Sequence, residues 1–164
     1  MKTKILLANI VLLLLSVTLY SQQTDIIVNN LKMDSTYTHE VIVNNLGTPD
    51  RIVDIPNEDN LTYKMYYYGN SIFEFLSDRF IHFYIMDIGT TFIANNILRV
   101  GGNFSSINLL GGEIIKNSQD LSKNEGLIIW RPYHDYYGGF GSLTVEYNLQ
   151  TGKITALSGT LIDY

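Results

Sequence analysis

The chain contains no cysteine, which excludes disulfide bonds, thiolate catalysis, zinc–thiolate sites and a thiol-linked lipid anchor. Its stability must come from core packing alone. Histidine is nearly as scarce: His39, His82 and His134 are the whole supply, far apart and never paired at helical spacing, so no metal site is expected. Lysine and arginine number 11 against 16 acidic residues, without a basic cluster, and a nucleic-acid partner is therefore not expected. No Gly-x-Ser-x-Gly elbow is present. Glu58 and Asp59 are adjacent acids in a turn, which usually form a solvated surface rather than a spaced catalytic pair. Asp135 points away from His134 if that segment is extended. Gly138-Gly139-Phe140-Gly141 lacks the glycine spacing and helix start of a phosphate cradle. The sequence reads as non-enzymatic, with no cofactor.

Only one long apolar run occurs, residues 5–20, preceded by the basic start Met1-Lys2-Thr3-Lys4 and followed by Ser21 and a polar flank. This is the layout of a secretory signal peptide over residues 1–21. A retained anchor helix is the alternative, disfavoured because a bilayer span needs roughly 20 apolar residues and no basic stop-transfer cluster follows. Cleavage would take Lys2 and Lys4 and no acid, moving the formal charge from −5 to −7. The expectation is an exported protein, periplasmic or extracellular, with no stable membrane anchor once cut. Asn60-Leu61-Thr62 and Asn103-Phe104-Ser105 match the glycosylation acceptor pattern, which chance supplies easily in an asparagine-rich chain.

Tyrosine, by contrast, is abundant, with 12 residues beside 7 phenylalanines, and with frequent Ile, Val and Thr this favours strands. The length of 164 residues suits one compact domain or two small repeats sharing a core. After an entry segment over 22–32, residues 34–47 read as a helix. Asp34, Ser35 or Thr36 is placed to cap it, Glu40 favours its positive end, Val41, Asn45 and Leu46 continue a face from Tyr37, and Gly47 and Pro49 stop it. Residues 51–55 and then 61–68, 71–76 and 80–86 read as strands with hairpin-length connections. Residues 97–115 again place a helix-like stretch before Leu110-Gly111, and strands follow over 125–131, 142–148 and 153–162. Gly111 would be the echo of Gly47, 64 residues later. The expected fold is α+β: two tandem helix-plus-antiparallel-meander repeats, 33–95 and 96–164, with helices packed on one face of a sheet.

Leu46-Gly47-Thr48-Pro49-Asp50 ending a helix, tyrosine-rich meander strands, and Val100-Gly101-Gly102-Asn103-Phe104 opening a second helix resemble the β-lactamase-inhibitor-protein-like superfamily. That superfamily includes the BamE (SmpA/OmlA) outer-membrane assembly lipoproteins. The resemblance spans about residues 33 to 160 and implies helices on a meander, a tandem form with a long concave sheet, and protein binding. The chain departs from it in having neither a lipobox cysteine nor disulfides, and in carrying Gly111-Gly112-Glu113 where the first corner has Gly-Thr-Pro.

Period-two alternation separates the strand faces. Leu61, Tyr63, Met65 and Tyr67 are assigned inward, with Ser71, Phe73, Phe75, Ile81, Phe83, Ile85, Leu143, Val145 and Tyr147. Outward-facing Lys64, Tyr66, Tyr68, Glu74, His82 and Tyr84 then form an aromatic partner-binding face, and Phe80, Thr144, Glu146 and Asn148 also point out. Cross-strand tyrosines that merely stabilise a sheet are the competing reading. Tyr133, His134, Tyr136 and Tyr137, in the glycine-rich segment 131–142, suit either a recognition loop or a long hairpin tip. The expected function is an exported, non-catalytic module with a protein partner. The alternative is a small-ligand binder or small hydrolase with a pocket near His82 or His134.

Overall fold

The computed structural model describes residues 25–56, 61–87, 92–132 and 140–162. Tight turns organise the first half. Asn29 and Asn30, at φ 45° and 68°, join β1 (Ile27–Val28) to β2 (Leu31–Lys32). Ser77 and Asp78, at 46° and 68°, do the same between β5 (Ser71–Leu76) and β6 (Arg79–Ile85). Two central residues at positive φ match the right-handed twist of the strands they connect, and short polar side chains tolerate that conformation best after glycine. Gly69, at φ 60°, opens the turn from β4 (Thr62–Tyr68) to β5.

The expected first helix forms as α1 (His39–Leu46), but Thr38 caps it, its Oγ1 accepting from the Val41 N–H at 3.4 Å. Asp34, Ser35 and Thr36 lie outside it because that stretch runs alongside β6. The Asp34 N–H donates to the Phe80 carbonyl, the Phe80 N–H to the Ser35 carbonyl, and Thr36 bridges Arg79. Ile42 and Leu46, one turn apart, form the buried stripe, while Val41 is exposed. Gly47 ends the helix at φ 88° and ψ −174°, its N–H donating to the Val43 carbonyl at 2.8 Å. This backbone region is essentially reserved for glycine, and among the described residues no heavy atom would lie within 4 Å of an added Cβ. Gly47→Val therefore tests the backbone alone: a loss of about 1–3 kcal/mol is expected in denaturant unfolding, and a change below ~0.5 kcal/mol would remove the corner from the account.

The remaining elements are β3 (Arg51–Pro56), β7 (Ile93–Ala94), β8 (Leu98–Arg99), a 3₁₀ helix (Phe104–Leu109), β9 (Glu113–Asp120), β10 (Glu125–Arg131), β11 (Phe140–Asn148) and β12 (Ile154–Ile162). Eight strands make one antiparallel sheet in the order β3-β4-β5-β6-β12-β11-β10-β9. Two four-stranded meanders thus meet through their last strands, with Leu157 opposite Ile85 and Gly159 opposite Phe83. The two short hairpins form a second sheet, β2-β1-β7-β8. They interlock reciprocally: Asn29 Oδ1 accepts from the Ile93 N–H at 3.1 Å, and Asn95 Oδ1 from the Ile27 N–H at 2.9 Å.

The expected α+β class is overturned. Among the described residues one α-helix of eight residues and one 3₁₀ helix of six accompany twelve strands, so the protein is mostly β. The layer opposite the large sheet is the small sheet supplemented by two short helical elements, rather than a helix from each of two repeats. Residues 97–110 do not support a second α-helix because their backbone groups are engaged elsewhere. Ile97 and Leu98 are hairpin residues paired to β7, and the Phe104 N–H donates to the Gly152 carbonyl. Asn103 caps the 3₁₀ helix that forms instead, its Oδ1 accepting from the Ser105 N–H at 2.9 Å, which gives the asparagine of that glycosylation pattern a structural role. The echo of Gly47 shifts as well: Gly112, not Gly111, takes a positive φ, 139°, where an added Cβ would meet the Trp130 ring. The entry segment, from residue 25 on, contributes β1 and β2 to the core.

One hydrophobic core lies between the layers. Phe73 is its centre, with ring centroids 4.7 Å from Phe92, 5.6 Å from Tyr68 and 6.4 Å from Phe83. Ile26 lies over Gly141 and Met33 over Gly159, which carries the small sheet onto the large one. In the second meander Tyr147 stacks on Phe104 at 4.0 Å, and its ring lies against Gly126, directly opposite on β10.

Candidate protein-binding face

The large sheet is covered on its inner face by the small sheet and the helical turns. Register decides which side chains occupy which face, since directly opposed residues share a side. Tyr68 pairs with Ser71, Tyr66 with Phe73 and Lys64 with Phe75. Phe73 and Phe75 are core residues, so Tyr66 and Tyr68 are buried with them. The assignment of Tyr66 and Tyr68 to an open face is therefore wrong, and so is that of Lys64, which shares their side and reaches Asp78 at 3.4 Å. Both tyrosine hydroxyls have partners. Tyr66 Oη lies 3.1 Å from His39 Nδ1, and Tyr68 Oη donates to the Gly47 carbonyl at 3.1 Å. Burial pushes the Tyr68 phenol up to about 12, with Tyr66 adding to the effect. Burial also raises Tyr66, assisted by the carboxylates of Asp78 and Asp54. A neutral phenol is what a donated hydrogen bond to a carbonyl requires.

A second correction falls on β6. Glu74 pairs with His82 but Phe75 with Phe80, so the strand bulges at Ile81. The extra residue turns Phe80 into the core, with Phe83 and Ile85, where simple alternation had placed Ile81. Phe75 and Phe80 stack at 5.0 Å as a result. In β11 alternation holds, with Leu143, Val145 and Tyr147 inward and Thr144, Glu146 and Asn148 opposite.

The outer face of the first meander consists of Arg51, Val53 and Ile55 on β3, Tyr63, Met65 and Tyr67 on β4, Ile72, Glu74 and Leu76 on β5, and His82 and Tyr84 on β6. Glu74, His82 and Tyr84 are where the alternation placed them. Tyr63, Met65 and Tyr67 were missed, although a signal existed: a two-residue turn at Gly69-Asn70 forces Tyr68 opposite Ser71, and so places Tyr67 opposite Ile72 and outside. The β4 residues are half-buried by their neighbours on the same face. Arg51 lies over the Tyr67 ring, 4.1 Å from its centroid, an arrangement worth about 0.5–1 kcal/mol at a solvent-facing site. His82 Nδ1 and Glu74 Oε1 are 3.5 Å apart in the middle of the patch. Tyr84 is raised by burial and by the Glu146 carboxylate two strands away. The face therefore has aromatic and aliphatic area at its centre with a few charged groups set into it.

The rest of the outer face is more polar. A cavity of about 240 Å³ opens on it among Lys123, Glu125, Glu146, Asn148 and Thr155, away from His82. Among the described residues no group of three His, Asp or Glu side chains is placed to hold a metal ion. Tyr133, His134, Tyr136 and Tyr137 lie outside the described residues, as does the signal segment 1–21. No family model, curated protein or solved structure matches the chain.

Proposed function

We propose that the protein is an exported, non-catalytic interaction module whose partner is another protein, held on the outer face of the first meander. The observation that carries this reading is the juxtaposition of Tyr63, Met65, Tyr67, Ile72, Leu76 and Tyr84 on a sheet face that no other described element packs over. Tyrosine and methionine suit such a role, because they give contact area while the phenol keeps a hydrogen bond and the thioether adapts its shape. Arg51, Glu74 and His82 supply charges that orient a partner. Export rests on the apolar run over residues 5–20 and its flanks.

The test uses Tyr63→Asp/Tyr67→Asp, two changes confined to the outer face, after circular dichroism shows the variant folded. A protein captured by the parent from cell envelope or culture medium is purified and titrated against both chains. Loss of affinity by about tenfold or more in the variant, equivalent to 1.4 kcal/mol, is the expected result. Equal affinity of parent and variant for the captured protein would place the contact elsewhere and end this reading. Tyr66 and Tyr68 are unsuitable for the purpose, since truncating either opens the core.

A further inference from the structure

Among the described residues, the eight-stranded sheet ends in two edges that no further strand pairs, β3 and β9. Exposed edges recruit further strands unless something blocks them. β9 is eight residues long, pairs with β10, and is exposed along almost its whole length. It contains no proline, and its one irregularity is a bulge at Ile115, near its start. Large apolar side chains stand in the open around it: Ile114 and Ile115 on the strand, and Leu121, 82% exposed, just beyond its end.

Pairing of a strand with a second copy of itself obeys a geometric rule. In an antiparallel ladder, hydrogen-bonded and non-hydrogen-bonded pairs alternate. A two-fold axis normal to the sheet must therefore pass through a pair, so that one residue faces its own equivalent. With Ser118 in that position, Lys116 faces the partner's Asp120 and Asn117 faces the partner's Gln119. These pairs join like polarity or opposite charge, and each occurs twice, on either side of the single Ser118 pair. With Asn117 at the axis, Lys116 would face the partner's Ser118 and gain no charge partner; with Lys116 there, lysine would face lysine. At the other edge no allowed register sets Arg51 against the partner's Asp54, because their positions differ by an odd number, and Pro56 lacks a donor.

We infer that β9 is a homodimerisation edge, pairing antiparallel with β9 of a second copy about Ser118. Lys116 and Asp120 share the outer face, opposite Ile129 and Glu125, so the axis keeps both ion pairs on one side of the combined sheet. Lys116 makes no ion pair among the described residues. Asp120 is ionised at neutral pH: the Ser122 hydroxyl, the backbone N–H groups of Lys123 and Ser122, and the Lys123 ammonium 3.6 Å away hold its carboxyl below the usual range. The bulge at Ile115 lies outside the paired run from 116 to 120. The same axis would place the outer faces of two first meanders on one side, making their partner binding bivalent.

Sedimentation equilibrium of the full chain, from micromolar to submillimolar concentration, tests the inference. The parent is expected to dimerise. Lys116→Glu and Asp120→Lys each set like charges face to face twice, and each should raise the dimer dissociation constant by about tenfold or more. Mixing these two variants restores both opposite-charge pairs in a heterodimer, and the mixture should associate as the parent does. Circular dichroism confirms that each variant is folded. A parent that stays monomeric throughout overturns the inference. So does a dimer whose constant is unmoved by either change, or two weakened variants that fail to rescue one another.

Discussion

Phe73→Ala is expected to lower the free energy of unfolding by about 3–5 kcal/mol, the range for truncating a fully buried aromatic ring. Phe73 has no exposed surface and touches rings from three directions: Tyr68 from β4, Phe80 and Phe83 from β6, and Phe92 from the segment entering β7. Close-packed rings relax poorly into a void, so the lost transfer energy and the cavity both count. Phe92 depends on this site in particular, because its contact with Phe73 is edge-on at 4.7 Å and helps seat the small sheet on the large one. Urea unfolding followed by circular dichroism measures the loss. A loss under ~1.5 kcal/mol would mean that the stack is not the centre of the core.

Gly126→Val should cost about 1–3 kcal/mol, toward the upper end, through overpacking rather than a cavity. Gly126 faces Tyr147 across the β10–β11 ladder, and any Cβ there would overlap the tyrosine ring. The ring has nowhere to retreat, since Phe104 stacks on it at 4.0 Å. An aromatic side chain laid over a cross-strand glycine covers the backbone that the glycine leaves bare, a device used to pin register in sheets. The double variant Gly126→Val/Tyr147→Ala separates clash from strand propensity. If the clash dominates, the pair of changes costs less than the two single costs added together; simple additivity would refute it.

The fold was legible wherever chemistry is local. The hairpin turn at Gly69-Asn70, the turn after Leu76 (expected over 77–79, observed at Ser77-Asp78), the strands on either side of them, and the helix ending at Gly47 all follow from turn chemistry and hydrophobic period. The binding face was only half legible. In β4 tyrosines occupy both parities, so hydropathy could not choose between Tyr63/Tyr67 and Tyr66/Tyr68. The strand pairing, which the two-residue turn at Gly69-Asn70 fixes and which sets Tyr66 against Phe73, breaks that tie. Phe80 was lost for a related reason: a bulge changes parity midway along a strand and leaves no trace in composition.

The five residues Ile-Val-Asn-Asn-Leu occur twice, as 27–31 and as 42–46. The first copy is a β-hairpin with its asparagines at positive φ; the second is the last turn and a half of α1. The sequence by itself determined the difference at the second site, because Glu40 and Gly47 supply a favourable charge and a stop, although the cap is Thr38 rather than Asp34, Ser35 or Thr36. It also determined that the chain is rich in strands and that no thiol chemistry occurs. At the first site the decision belongs to tertiary structure. Asn29 and Asn95 each satisfy a backbone N–H of the other hairpin, and the small sheet they complete buries Val28, Leu31, Ala94 and Leu98 over the large one. A five-residue preference is worth a few tenths of a kcal/mol per residue, whereas burying each of the larger apolar side chains contributes about 1.5–3 kcal/mol. The layer opposite the main sheet is consequently built mainly of hairpins rather than helices, a choice that exists only once both halves of the chain have met.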